Sequence, residues 1–262
     1  MRKKPPLGQN FLTDLNIAAE IVQLANISPQ GQVVEIGPGK GVLTKLLLQC
    51  AGSVLALEVD SKLYGPLNRQ FGKNPKFQLV EANAMTYDYS AAGSRYQVVS
   101  NLPYYAAMPI MKRLIHYRSH IVDMTLMLQK EVVDRLVAQP GTKAYGSLSV
   151  FTQFHCQVER LLEVGRNSFF PPPKVKSSVI RLTPLAQPPV TIDNLKTFYH
   201  VVNTAFFHKR KMLRNNLKGL GRSYHLDEKK IEGAGIQLDR RGETLNLEEF
   251  ATLANLIEEN HD

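Results

Sequence analysis

The 262-residue chain contains only two cysteines, Cys50 and Cys156. Each lies in an apolar stretch with no second Cys or His at metal-ligand spacing, so neither a disulfide framework nor a zinc site is supported, and no metal is expected. That usage fits a reducing cytoplasm. No apolar run is long enough to span a bilayer, which argues against a membrane protein. The start, Met1-Arg2-Lys3-Lys4, is basic like the head of a signal peptide, yet Gly8, Gln9 and Asn10 stand where an apolar core would follow. No internal repeat or low-complexity tract is visible. Acids are the scarcer charge, 23 against 32 Lys and Arg, leaving a net charge of +9. A polyanionic partner is therefore favoured, nucleic acid ahead of an anionic membrane surface, because each cation that neutralises a phosphate releases a condensed counterion.

What is present is an α/β pattern. At 44% hydrophobic the chain can bury a sizeable core, and its length allows a main domain plus an appendage. Apolar residues recur at helical spacing from Asp14 to Ala25. Strand-like runs follow at Val33–Ile36, Ser53–Val59, Phe77–Val80, Gln97–Ser100 and Thr125–Gln129, separated by helical patterns such as Val42–Cys50, Ala106–Arg118 and Glu131–Ala138. Such alternation predicts a mainly parallel, doubly wound sheet. Gln157–Val164 and Val175–Leu182 lack a crossover helix between them and read as a closing antiparallel hairpin. The Pro-rich stretch from Thr183 to Pro189 breaks every pattern, and the remainder reads as helices. The expected domains are 1–185 and 190–262.

Two turns carry the chemistry. Val33-Val34-Glu35-Ile36-Gly37-Pro38-Gly39-Lys40-Gly41 is a strand running into a glycine turn that opens a helix, where an α/β sheet receives an adenosine-bearing cofactor. Its Gly-x-Gly-x-Gly spacing differs from the dinucleotide fingerprint, and no Gly-Lys-Ser/Thr phosphate loop occurs, so a pyrophosphate ligand is disfavoured. Gly37 and Gly39 are candidate cofactor contacts. Glu58, at the end of the second strand, is placed to accept both ribose hydroxyls. After the fourth strand comes Asn101-Leu102-Pro103-Tyr104-Tyr105. The Asn101 side-chain oxygen and the Leu102 carbonyl can accept the two hydrogens of an amine, and Pro103 stiffens the turn. Tyr104 offers an aromatic face for a base, while Tyr105 is expected to pack inward.

These residues resemble the KsgA family of ribosomal RNA adenine dimethyltransferases, related to the Erm methylases, from about Leu7 to the C-terminus. The resemblance rests on Leu7-Gly8-Gln9-Asn10-Phe11-Leu12, Glu35 to Gly41, Glu58-Val59-Asp60, Asn101 to Tyr104, the run Leu126 to Val132, and Lys143-Ala144-Tyr145-Gly146. It implies a Rossmann-like S-adenosylmethionine methyltransferase sheet with a smaller all-helical C-terminal domain. It also implies that Asn10, Leu12, Gly37, Glu58 and Asn101 contact S-adenosylmethionine, and that Phe169 joins Tyr104 in sandwiching the target adenine. Phe170 is then expected to cap the hydrophobic core of the hairpin. Asn83 stands where the family usually has Asp, the acceptor for the cofactor's adenine amine. An amide oxygen still accepts, without the charge-assisted part of the bond. The family's dimethylating members act on two adjacent adenosines in a hairpin near the 3′ end of small-subunit ribosomal RNA, within an immature subunit. Pro171-Pro172-Pro173 and the helical C-terminus favour that branch, and a monomer is expected.

From Phe207 to Arg222 there are six cations and no acid: Lys209, Arg210, Lys211, Arg214, Lys218 and Arg222. One basic helix is expected here, with Phe206, Leu213, Leu217 and Leu220 on its buried stripe and the cations set toward RNA phosphates. Smaller acid-free clusters lie at Arg2–Lys4, Lys112–Arg118 and Arg166–Arg181. Rival readings are a methyltransferase for free nucleobases, DNA adenine or a protein amide, and a non-enzymatic ribosome-assembly factor. The latter would dispense with the Asn101 turn or with Glu58, and both are intact.

Overall fold

The β-branched runs become the strands of one seven-stranded sheet in the computed structural model, which describes residues 10–259. In chain order the elements are β1 (Phe11–Leu12), α1 (Leu15–Leu24), β2 (Gln32–Ile36), α2 (Val42–Cys50), β3 (Ser53–Glu58), α3 (Ser61–Phe71), β4 (Phe77–Glu81), β5 (Tyr96–Asn101), α4 (Ala107–His116), β6 (Ile121–Gln129), α5 (Lys130–Leu136), α6 (Ser147–His155), β7 (Cys156–Val164), β8 (Phe169–Phe170) and β9 (Ser177–Pro184). The sheet order is β4-β3-β2-β5-β6-β9-β7, and β1 pairs separately with β8. Strands β4 to β6 are parallel to their neighbours, and β9 joins β6 antiparallel.

The order reverses between β2 and β5. Loops leaving the carboxyl ends of two such strands diverge, and the crevice between them is where open α/β sheets bind ligands. Val33, Val54, Ala56, Val99 and Val179 lie in the core on one side of the sheet, with Ala18, Ile21, Leu43 and Leu47 of α1 and α2 against them. α1 is started by Asp14, whose carboxylate accepts from the N–H groups of Asn16 and Ile17. α3 is started in the same way by Asp60, which accepts from Lys62.

The chain divides into two units, one of residues up to Val133 with Gln157–Pro184, the other of Asp134–Cys156 with the chain from Leu185 onward. The expected first domain of 1–185 thus loses 134–156. Tyr145, Val150 and Phe154 are buried with Phe198, Val201, Leu213 and Phe250, side chains from the C-terminal helices α7 (Leu195–Ala205), α8 (Leu213–Leu217) and α9 (Leu247–Leu256). α6 buries apolar side chains that periodicity marks as interior without saying which core receives them.

The second unit also corrects the single basic helix. α7 stops at Ala205, a turn follows, α8 is short, and Lys218–Ser223 is a 3-10 segment. Asn216, 3% exposed, donates to the carbonyls of Ala205 and His208 and accepts from the His208 N–H. The buried amide thereby satisfies backbone groups that a continuous helix would have bonded internally. Leu213, Leu217 and Leu220 are nonetheless buried as the stripe requires.

Candidate active site

The glycine turn after β2 folds as it does because three backbones must turn left-handed. Gly37, Gly39 and Gly41 have φ of 65°, 60° and 77°, where an L side chain is strained. Two of them also face crowding. A Cβ on Gly39 would lie 3.0 Å from the Phe11 ring, and one on Gly41 2.5 Å from the Phe71 ring. Gly41 therefore serves packing at the head of α2 and Gly39 the close approach of Phe11, while Gly37 meets nothing nearer than Pro103 at 3.9 Å.

Glu58, at the end of β3, is 2% exposed. Its Oε1 accepts from the N–H groups of Val59 and Asp60, each at 2.9 Å, and its Oε2 from Gly39 at 3.4 Å. Burial pushes the carboxyl up and these amides pull it back down. The carboxylate is thus fixed in direction as well as position, with lone pairs left for a diol. Beneath the loop, Glu35 is fully buried and accepts from the Thr44 hydroxyl at 2.6 Å. Burial, with a further push from Glu58, raises it to about 8, which favours the protonated form at pH 7.

Asn101 closes β5 beside Met127 of β6. The Leu102 N–H donates to the Met127 carbonyl at 3.2 Å, and that of Ala106 to the Pro103 carbonyl at 2.9 Å, which sets the turn. The Ser100 hydroxyl donates to the Ile36 carbonyl, tying β5 to the strand that carries the glycine turn. Leu102 is 1% exposed, so any chemistry it does is through its carbonyl. The half-buried Tyr104 shares a 2.6 Å hydrogen bond with the Ser177 hydroxyl, and burial pushes its phenol up.

Around these groups is a cavity of about 660 Å³, lined by Asn10, Gly37, Gly39, Glu58, Asn83, Asn101, Leu102 and Tyr104 among others. The lining thus includes a carboxylate and aromatic rings, and Asn101 belongs to the same space as Glu58. Asn83 is exposed, and its Oδ1 already accepts from the Met85 N–H at 2.9 Å, so it shapes its turn while facing the cavity. Phe11, Asp60, Lys62 and Met85 also line it and were not singled out from the sequence. Alternation in β1 would have shown that Phe11 and the buried Leu12 face opposite ways. Of the motif containing Asn10, residues Leu7, Gly8 and Gln9 lie outside the described residues, as do Arg2–Lys4.

Three expectations are corrected. Phe169 is 3% exposed and packs in the core with Leu12, Val164 and Val179, away from the cavity lining. The reason is register: Leu12 pairs with Phe169 and Phe11 with Phe170, so Phe169 takes the inner face. Phe170 accordingly does not cap the core but is 65% exposed. Tyr105 is 54% exposed and lines the cavity, while Ala106 and, on α4, Ala107 and Ile110 are buried. Leu12 has its side chain in the core and borders only a smaller space beside the glycine turn, with Gly37 and Asn101.

The family model described as ribosomal RNA adenine dimethylase matches residues 1–259. The chain belongs to the ribosomal RNA adenine dimethylase family. It is 42% identical over 259 residues to the ribosomal RNA small subunit methyltransferase A of Hydrogenovibrio crunogenus, covering 97% of this chain and 96% of that protein. It is also 42% identical over 255 residues to the protein of that name from Clostridium perfringens, covering 96% and 90%. Among solved structures, a dimethyladenosine transferase from Plasmodium falciparum superposes with a TM-score of 0.77 at 23% identity, over 93% of this chain and 95% of that one. The 23S rRNA methyltransferase ErmE gives 0.74 at 25% identity, over 94% and 99%. In this ribosomal RNA adenine dimethylase, Glu58, Asn101 and Tyr104 line one cavity.

The cations expected on RNA divide in this structure. Arg214 pairs with Glu228 at 3.3 Å and Glu232 at 3.1 Å. The Lys209 ammonium lies 3.4 Å from the carbonyls of Lys143 and Tyr145. Arg210, Lys211 and Lys218 are exposed. The side chain of Arg222 lies outside the described residues. Among the described residues, no group of three or more His, Cys, Asp or Glu is placed to hold a metal ion, and no helix is long and apolar enough to cross a membrane.

Proposed function

We propose that the chain transfers methyl groups from S-adenosylmethionine to N6 of two adjacent adenosines in a hairpin near the 3′ end of small-subunit ribosomal RNA. It acts as a cytoplasmic monomer on an immature subunit. The observation that carries this reading is the convergence, in one cavity at the switch point of the sheet, of the Glu58 carboxylate, the Asn101–Leu102 turn and the Tyr104 ring.

The residues present fit the cofactor. Glu58 is held by three backbone amides with lone pairs to spare, which suits a ribose, and Asn83 keeps an amide at the cavity edge for an adenine. Bound S-adenosylmethionine supplies an electrophilic sulfonium methyl. The N6 amine of adenine is a poor nucleophile, its lone pair being delocalised into the ring, so the protein's task is to orient it. Asn101 Oδ1 and the Leu102 carbonyl accept its two hydrogens, which turns the lone pair out of the ring plane and stabilises the positive charge that develops on nitrogen. Tyr104 stacks on the base, an interaction typically worth ~1–3 kcal/mol. Mass spectrometry of nucleosides from unmethylated small subunits incubated with the protein and S-adenosylmethionine tests the reading. N6,N6-dimethyladenosine is expected, and its absence rejects it.

Arg210, Lys211 and Lys218 provide phosphate contacts in this reading, since they are exposed while Arg214 is engaged by two acids. Replacing the three with Ala is expected to weaken RNA binding equally across sequences and to reduce the salt slope by about one unit per contact. Arg214→Ala should change the slope little. Filter binding at graded salt checks both, and an unchanged slope for the triple variant removes these cations from the footprint.

A further inference from the structure

The β1 and β8 ladder places an aromatic ring where neither the core nor the cavity uses it. Residues directly opposite on antiparallel strands share a face, so the Phe11↔Phe170 pair shares one and the Leu12↔Phe169 pair the other. Leu12 and Phe169 are 5% and 3% exposed, and Phe170 is 65% exposed. Phe11 lines the cavity, so its cross-strand partner Phe170 stands beside the cavity rim without entering it.

The backbone under Phe170 is fixed. The Thr13 N–H donates to the Ser168 carbonyl at 2.9 Å, and the Ser168 hydroxyl donates to Asp14 at 3.1 Å. Asn10 Nδ2 donates to the Pro171 carbonyl at 2.7 Å, and two more prolines follow. A ring on such a support loses little freedom when a partner covers it. The same stretch, 165–176, holds Arg166, Lys174 and Lys176 and no acid. All three are exposed, and none has an ion pair among the described residues.

We propose that Phe170, with Arg166, Lys174 and Lys176, forms a docking surface for the RNA strand on either side of the target. The ring stacks on the base flanking the target adenine, and the cations take the neighbouring phosphates. The inference rests on the proposed function. A flat apolar face among unpaired cations matches single-stranded nucleic acid, whose every base has a stacking face and whose backbone is anionic. The flanking base is the occupant because the cavity takes the target and Phe170 stands outside it.

The test is steady-state methylation of unmethylated small subunits. Phe170→Ala is expected to lower kcat/KM by about 5- to 100-fold, the loss of one stacked base, through KM, with kcat at saturating subunits within about 2-fold. Phe170→Tyr should restore it, and calorimetry should show wild-type affinity for S-adenosylmethionine in every variant. Replacing Arg166, Lys174 and Lys176 together with Ala should flatten the dependence of log(kcat/KM) on log[salt] by about two units. Wild-type kcat/KM for Phe170→Ala, or full rescue by Phe170→Leu, would overturn the stacking role. If the wild-type protein made no dimethyladenosine, the proposed function would fail and this inference with it. Wild-type activity with an unaffected Phe170→Ala variant would sink this inference alone.

Discussion

Asn101→Ala is expected to slow dimethyladenosine formation on unmethylated small subunits by about 10²–10³, the usual loss when one preorganised hydrogen-bonding partner of a transition state is removed. The side chain ends β5, faces the same cavity as Glu58, and follows a strand tied to the glycine turn through the Ser100 hydroxyl. It is therefore held by the sheet, and losing it should not move the turn, which is set by the Leu102 and Ala106 amides. RNA binding should persist, because phosphate contacts supply most of the affinity. Single-turnover assays separate the two effects, since they read the chemical step apart from product release. A wild-type single-turnover rate would return Asn101 to a structural role. Asn101→Asp is the informative companion: it keeps an acceptor at the same reach but adds a charge, so a partial rate would show that acceptance, rather than the amide itself, is what the amine needs.

Much of this site was legible because its parts are punctuation. Glycines at positive φ, an acid at a strand end and a proline-stiffened turn are local devices, and the strands that carry them were evident from alternation. What escaped the sequence depended on pairing between distant segments. Phe169 and Phe170 are chemically identical neighbours, and only the register against Phe11 and Leu12, some 158 residues earlier, decides which one is buried. The same holds for 134–156. Its apolar residues are plain, but their partners, Phe198 and Phe250 among them, lie in the C-terminal helices. The basic segment failed as one helix for a local reason that its cations concealed: Asn216 is buried and bonds the backbone at Ala205 and His208. Glu35 sits within the glycine motif, where spacing assigns it no role. Its preference for the protonated form follows from burial under the glycine turn, which no spacing rule conveys.

Glu58→Ala is expected to weaken S-adenosylmethionine binding by about 10²–10⁴, because a shared acceptor for two hydroxyls is lost and hydrogen bonds to a charged group contribute about 1.5–3 kcal/mol each. The structure adds a second consequence. Glu58 is not a solvated strand end: it accepts from Gly39, Val59 and Asp60 and is 2% exposed. Truncation leaves those amides without their acceptor and should also lower stability by about 1–3 kcal/mol. Weak binding by the Ala variant alone would thus be ambiguous between a lost ligand contact and a loosened loop. Glu58→Gln separates them. Its amide oxygen can still serve the Val59 and Asp60 amides, while only the longer Gly39 contact loses its acceptor, so the denaturation midpoint should fall less than in the Ala variant. The charge-assisted part of the ribose contact disappears, and affinity should fall by about 10-fold. Titration calorimetry with S-adenosylmethionine, paired with denaturant melts of both variants, reads the two effects side by side. Wild-type affinity in the Gln variant together with a destabilised Ala variant would make Glu58 a clamp for the glycine turn, and the ribose would need another acceptor among the cavity residues.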